Sequence, residues 1–113
     1  MATSPQFPST PRAEGINLAD DTLTNLLTAG ANGTYCDKIE YFNIATNVNT
    51  MKVFLNDGTS DFQLREETLF TSGTIILDFA IPSGISIEVQ LTKTDSEEDI
   101  TGSVSVVCFG GDY

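Results

Sequence analysis

The chain has 113 residues, 40% of them hydrophobic, enough for one domain with a modest core and too few for two. Sixteen acidic residues stand against five basic ones with no histidine, and the formal net charge of −11 excludes binding to nucleic-acid phosphates. The same charge disfavours anionic membrane surfaces, and no apolar stretch approaches the roughly eighteen residues of a membrane-spanning helix.

Residues 1–17 form a compositional zone of their own. Pro5, Pro8 and Pro11 recur at every third residue among Ser, Thr and Gln, a spacing that suits an extended, polyproline-like arm. Phe7 is its conspicuous apolar side chain and Arg12 its one basic residue. Pro5, Phe7, Pro8, Pro11 and Arg12 are therefore the expected arm contacts to a neighbouring subunit. The opening Met-Ala-Thr-Ser-Pro-Gln-Phe-Pro has neither a basic region nor an apolar run, so no secretory signal is expected.

Residues 18–113 read as one β-domain. In 18–28, Leu23, Leu26 and Leu27 allow a helix behind Asp20 and Asp21, but Thr22, Thr24 and Thr28 favour a strand. The strand is the preferred reading. Asn32-Gly33 closes a tight turn, and a strand follows over 34–44. Its apolar groups fall on both faces (Tyr35, Ile39 and Tyr41 with Cys36, Phe42 and Ile44), which suggests a central or interface position. Residues 43–50 read as loop. Met51, Val53 and Leu55 then alternate up to the Asn56-Asp57-Gly58 turn, and a further strand starts at Phe62 and Leu64.

Residues 73–93 carry the clearest pattern. Ile75, Leu77 and Phe79 alternate before Pro82 and Gly84, and Ile85, Ile87, Val89 and Leu91 alternate after them. The turn residues between the two runs predict a β-hairpin. An acidic loop over 94–101 precedes a last strand at 103–109, with Val104, Val106 and Cys108 on one face. Short strands punctuated by turns describe an all-β fold, a single β-sandwich or jelly roll behind an extended N-terminal arm.

Catalysis finds little support. Without histidine there is no Ser-His or Cys-His pair, and Glu66 and Glu67, adjacent on a strand, face opposite sides. No phosphate-binding glycine loop is present and no cofactor is expected. The weak metal candidate is the set Asp95, Glu97, Glu98 and Asp99, whose carboxylates suit Ca²⁺ but whose spacing lacks the EF-hand pattern. Sugar binding is disfavoured because tryptophan is absent and the phenylalanines fall on strand faces that read as buried. Cys36 and Cys108 are expected as reduced, buried thiols, with pairing on neighbouring strands the alternative.

Several segments resemble small structural proteins of tailed phages and prophages. They are Leu27-Thr28-Ala29-Gly30-Ala31-Asn32-Gly33-Thr34 with the following Asp37-Lys38-Ile39, Val53-Phe54-Leu55-Asn56-Asp57-Gly58, Pro82-Ser83-Gly84, and the terminal Gly110-Gly111-Asp112-Tyr113. The resemblance covers residues 23–113. Ile85 stands where such proteins often carry Trp, and the acidic segment 95–99 is a local elaboration. The resemblance implies a virion component of the capsid decoration (cement) type. Such a protein, made in the host cytoplasm, would bind the major capsid protein on the outer capsid surface as a homotrimer, with no nucleic-acid or membrane partner. A tail, neck or baseplate accessory protein of the same fold is the alternative, and a free carbohydrate- or calcium-binding β-module a third.

Overall fold

The computed structural model describes residues 8–113, so Pro5 and Phe7 lie outside the described residues. Eight strands make up the domain: β1 (Thr10–Leu18), β2 (Thr24–Thr28), β3 (Thr34–Asn43), β4 (Val48–Asn56), β5 (Asp61–Thr68), β6 (Ser72–Ile81), β7 (Ser86–Lys93) and β8 (Val104–Asp112). They form two four-stranded antiparallel sheets, ordered β1-β8-β3-β6 and β2-β7-β4-β5. That order is a jelly roll, in which the chain repeatedly crosses from one sheet to the other.

Alternation along each strand builds the core. Ile39 and Tyr41 from β3, Ile75 and Leu77 from β6 and Val104, Val106 and Cys108 from β8 form one wall. Met51 and Val53 from β4 with Ile87, Val89 and Leu91 from β7 form the other. Each fully buried Leu, Ile, Val or Met contributes about 1.5–3 kcal/mol, which is what holds the two sheets together. Cys36 and Cys108 belong to this core as buried, free thiols on the adjacent strands β3 and β8.

The hairpin expected over 73–93 is not formed. β6 and β7 lie in different sheets, and the Pro82–Ile85 turn folds one over the other across the core. The turn chemistry itself is as expected, with Ile85 N–H donating to the Pro82 carbonyl at 3.2 Å and Gly84 at φ 91°. Alternation specifies which face of a strand is buried, not which strand completes its ladder. Here β6 pairs with β3, and β7 lies between β2 and β4. Among the described residues, the one hairpin between consecutive strands is β4–β5, closed by Asn56-Asp57-Gly58.

The boundary expected at residue 17 falls inside β1. Residues 10–18 pair with β8 along their whole length, from Thr10 opposite Asp112 to Leu18 opposite Val104. Pro11 is compatible because β1 is an edge strand, where a missing N–H need not break a ladder. Leu18, Ile16, Glu14 and Arg12 alternate toward the sandwich interior, and Leu18 is fully packed there. Any free arm therefore ends before Thr10. The loop expected over 43–50 is shorter than anticipated, since β4 already begins at Val48, and β8 runs on through Gly110 and Gly111 to Asp112.

Candidate interaction surfaces

The sandwich is closed differently at its two long edges. At the edge formed by β1 and β2, Arg12 acts as a clamp. Its Nη1 donates to the Thr28 carbonyl at 2.7 Å, to Asp112 Oδ1 at 3.0 Å and to Thr34 Oγ1 at 3.4 Å. Its Nε donates to Glu14 Oε1 at 3.2 Å. Thr34, fully buried, donates its hydroxyl proton to Asp112 at 2.6 Å and accepts the Gly30 N–H at 2.8 Å. The Thr34 hydroxyl first, and Arg12 after it, hold the Asp112 carboxyl below its usual range. Arg12, expected to reach a partner, thus has its Nε and Nη1 donors engaged inside the fold. The run Arg12, Glu14, Ile16, Leu18 carries the period-two signal that reveals this, but the prolines before it mask the pattern.

The opposite edge, between β5 and β6, is open. A cleft of about 450 Å³ there is lined by Leu55, Phe62, Leu64, Phe79, Ile81 and Ile85, with Asp57 at its rim. The β4–β5 pairing bulges between Val53 and Phe54, so that β5 leaves the regular ladder where Leu64 falls. Phe62 and Leu64 are 54% and 41% exposed. Asp57 turns its carboxylate inward to its own loop, accepting the Thr59 and Ser60 N–H groups at 3.0 and 2.8 Å.

The outer face of the β1-β8-β3-β6 sheet is a second apolar surface. Ala13, Phe109, Lys38 and Ile76 follow one another across its four strands, with Val107 in the next row opposite Glu40 and Phe42 one row further, opposite Ser105 and Ser72. Its central charges cancel, because Lys38 Nζ lies 3.1 Å from Glu40 and 5.7 Å above the Phe109 ring. Pro8 and Pro11 border a shallow hollow on this face with Tyr35 and Phe109, so the described chain begins here. Phe42, Phe62 and Phe70 are each at least half exposed, which corrects the expectation that the phenylalanines are mostly buried. Phe62 sits on an edge strand and Phe42 on an outer face, positions that alternation cannot tell from core, and Phe70 lies in the β5–β6 connection.

The acidic loop is not assembled as a cation site. Asn47 closes it, donating to the Asp95 and Glu98 carbonyls at 2.9 Å and accepting the Asp95 N–H at 2.7 Å. The Asp95 carboxylate accepts the Glu97 N–H. Among the described residues, no group of three or more Asp, Glu, Cys or His side chains gathers as a metal site. Asp95, Glu97, Glu98 and Asp99 are set along a turn that spreads rather than converges.

One carboxyl pair is unusual. Glu88 on β7 has an Oε1 that is shut off from solvent and lacks a hydrogen-bond partner. Burial first, then the Asp61 carboxyl of β5, push Glu88 up to about 7, while Asp61 is lowered by its bond to Glu88 and then to Asn56. Between the ordinary 4.5 and about 7 the folded chain keeps a proton that the unfolded chain has lost. Stability should therefore fall as pH rises through that window. The melting temperature of the native protein should decline from pH 5 to pH 8, and Glu88→Gln, whose amide still faces Asp61, should flatten the decline.

No protein-family model matches the chain, and no curated protein matches it in sequence. Solved structures do align with it. A chain of the acidic stable capsid structure of Helicobacter pylori bacteriophage KHP30 aligns with TM-score 0.60 at 16% identity, over 90% of this chain and 89% of that one. The nucleoplasmin-like N-terminal domain of Drosophila FKBP39 aligns with TM-score 0.51 at 13% identity, over 93% of each chain. At such identities the likeness is one of fold, the all-β sandwich of two antiparallel sheets.

Proposed function

We propose that this protein is a structural component of a virion, a capsid decoration protein that binds the outer surface of a tailed-phage head. The observation that carries this reading is the outer face of the β1-β8-β3-β6 sheet. On a chain of net charge −11, this face presents Phe109, Val107, Phe42 and Ile76 around an internally neutralised Lys38–Glu40 pair. An exposed apolar surface of that kind marks a protein-binding site. The Pro-rich segment joins it at Pro8, and residues 1–7 are assigned to contact with a neighbouring copy on the shell. The acidic remainder is unsuited to a DNA-filled interior and suited to the outside of a shell. The fold shared with a phage capsid chain and the resemblance of residues 23–113 to phage structural proteins support the same reading.

In this role the partners are the major capsid protein and further copies of the chain, grouped as a homotrimer. Bound copies stabilise the shell by mass action, as any ligand of the assembled state does. Because β1 begins at Thr10, removing residues 1–7 leaves the sandwich whole. Burying Phe7 is worth about 2 kcal/mol, so the truncated protein should bind undecorated heads roughly thirtyfold more weakly. A pull-down of both proteins with purified heads measures this. Undiminished binding of the truncated protein would remove the arm from the interface, and failure of the full chain to bind heads would remove the decoration role. A tail, neck or baseplate position is the competing outcome, recognised by a handful of copies per particle rather than hundreds.

A further inference from the structure

The two edges of the sandwich are complementary. One edge carries β1, from which the N-terminal segment leaves, and the other carries the apolar cleft between β5 and β6. We infer that this cleft is the receptor for residues 1–7 of a second copy of the chain, with Phe7 and Pro5 seated against Phe62 and Leu64.

The sequence of the segment fits the cleft in kind. Pro5-Gln6-Phe7-Pro8 is a Pro-x-x-Pro unit, and such segments dock on grooves lined by aromatic side chains. Phe62 and Phe79 provide such a lining, with Pro82 beside them. Charge selects the same occupant. The first eleven residues contain no charged side chain, although the chain as a whole carries −11. They are the part of one copy that approaches another without repulsion. The cleft is matched to them, since its one charged group, Asp57, is already held by its own turn.

Geometry decides between the chain's own cleft and a neighbour's. β1 and β6 are separated by two intervening strands, a distance of about 14 Å across the sheet. Pro8 packs against Gly111 of β8, beside Tyr35 and Phe109 on the outer face of the β1-β8-β3-β6 sheet and two strands short of β6, and one peptide unit spans only about 3.8 Å. Phe7 therefore cannot fill the cleft of its own molecule. A donor on one edge and a receptor on the other make a head-to-tail contact, which closes into a ring when the rotation allows. This supplies the self-association that the decoration reading calls for, and it rests on that reading only for the place of the ring on a shell.

The chain has no tryptophan, so Phe7→Trp introduces a single fluorescent reporter into the full-length protein. With rising protein concentration its emission should move to shorter wavelength in step with the appearance of an oligomer in sedimentation. Phe62→Ser and Leu64→Gln, each made in the reporter protein, alter exposed side chains and should leave the far-ultraviolet circular dichroism unchanged. Both should abolish the spectral shift and the oligomer, as should deletion of residues 1–7. A blue-shifted emission independent of concentration would mean that the segment lies on its own molecule and would overturn the inference. So would an oligomer that survives both cleft variants. Head binding separates this inference from the functional reading. A reporter protein with its cleft intact that binds heads fully, yet whose emission never shifts with concentration, defeats the cleft alone. A reporter buried in the oligomer of a protein that binds no head defeats the decoration role alone.

Discussion

Replacing Gly110 by alanine should destabilise the domain more than any other single added methyl. A Cβ at this position falls 2.0 Å from the Tyr35 carbonyl oxygen, 3.0 Å from its carbon and 3.3 Å from the Cys36 Cα. All three atoms are backbone of β3, so no side chain can swing aside. The crowding arises from a bulge. β3 and β8 pair as Cys36 opposite Gly110 and Lys38 opposite Phe109, leaving Asp37 as the extra residue. Relief requires prising the central pair of strands apart beneath buried Cys36 and Cys108. Overpacking in a core costs about 1–3 kcal/mol, and a clash with fixed backbone belongs at or above the top of that range. A loss of roughly 3 kcal/mol corresponds to a fall of roughly 15 °C in melting temperature for a domain of this size. Gly15→Ala provides the contrast. Its Cβ would meet the Val107 Cγ2 at 3.3 Å and the Val106 carbonyl oxygen at an ordinary 3.6 Å, on the exposed side of an edge strand, and should change stability by less than about 0.5 kcal/mol. Equal melting temperatures for the two variants would contradict the pairing described for β3 and β8.

Arg12→Met should cost about 2 kcal/mol, measured by urea denaturation at neutral pH. Methionine keeps most of the apolar stem and removes the guanidinium, which bridges β1, the Thr28 carbonyl and Asp112. Charge-assisted hydrogen bonds of this kind contribute about 1.5–3 kcal/mol. The Arg12 side chain is 21% exposed, which places the expectation below the cost of breaking a fully buried pair. The acid limb supplies an independent check. Asp112 is held below the ordinary carboxylate range by Thr34 and then by Arg12. Its contribution is therefore present above that range and lost as pH falls through the lowered value. With Arg12 gone, part of this acid-dependent loss should disappear, whereas Thr34 continues to lower Asp112. A variant as stable as the parent, with an unchanged acid limb, would mean that the clamp holds nothing.

How much of this was legible in the sequence follows from what alternation encodes. Ile87, Val89 and Leu91 announce a strand with one buried face, and Asn56-Asp57-Gly58 announces the hairpin that β4 and β5 form. The apolar groups on both faces of β3 announce its central place between β8 and β6. Ladder partners are not encoded locally. Ile39 pairs with both Ile75 and Cys108, far away in the chain, and nothing near Pro82 tells a hairpin turn from one that crosses between sheets. β1 was hidden because its prolines read as an arm, although Arg12, Glu14, Ile16 and Leu18 alternate as a strand should. The cleft was hidden for the opposite reason. Phe62 and Leu64 have the composition of core residues, and only the missing cover over the β5–β6 edge exposes them.

In the proposed role, self-association and surface binding use different parts of the chain. The apolar outer sheet face and the open edge are separate surfaces, one broad and one narrow, on a body that otherwise repels its own kind. Salt should strengthen both contacts by screening the acidic remainder, since the Debye length shrinks from about 10 Å at 0.1 M to 3 Å at 1 M.

A cryo-EM map of phage particles carrying this protein tests the central claim most directly. Expected are many symmetry-related copies of the two-sheet sandwich on the outside of the head, with the β1-β8-β3-β6 face turned toward a partner surface. Density for the sandwich inside the shell, in the tail, or nowhere on the particle would contradict it.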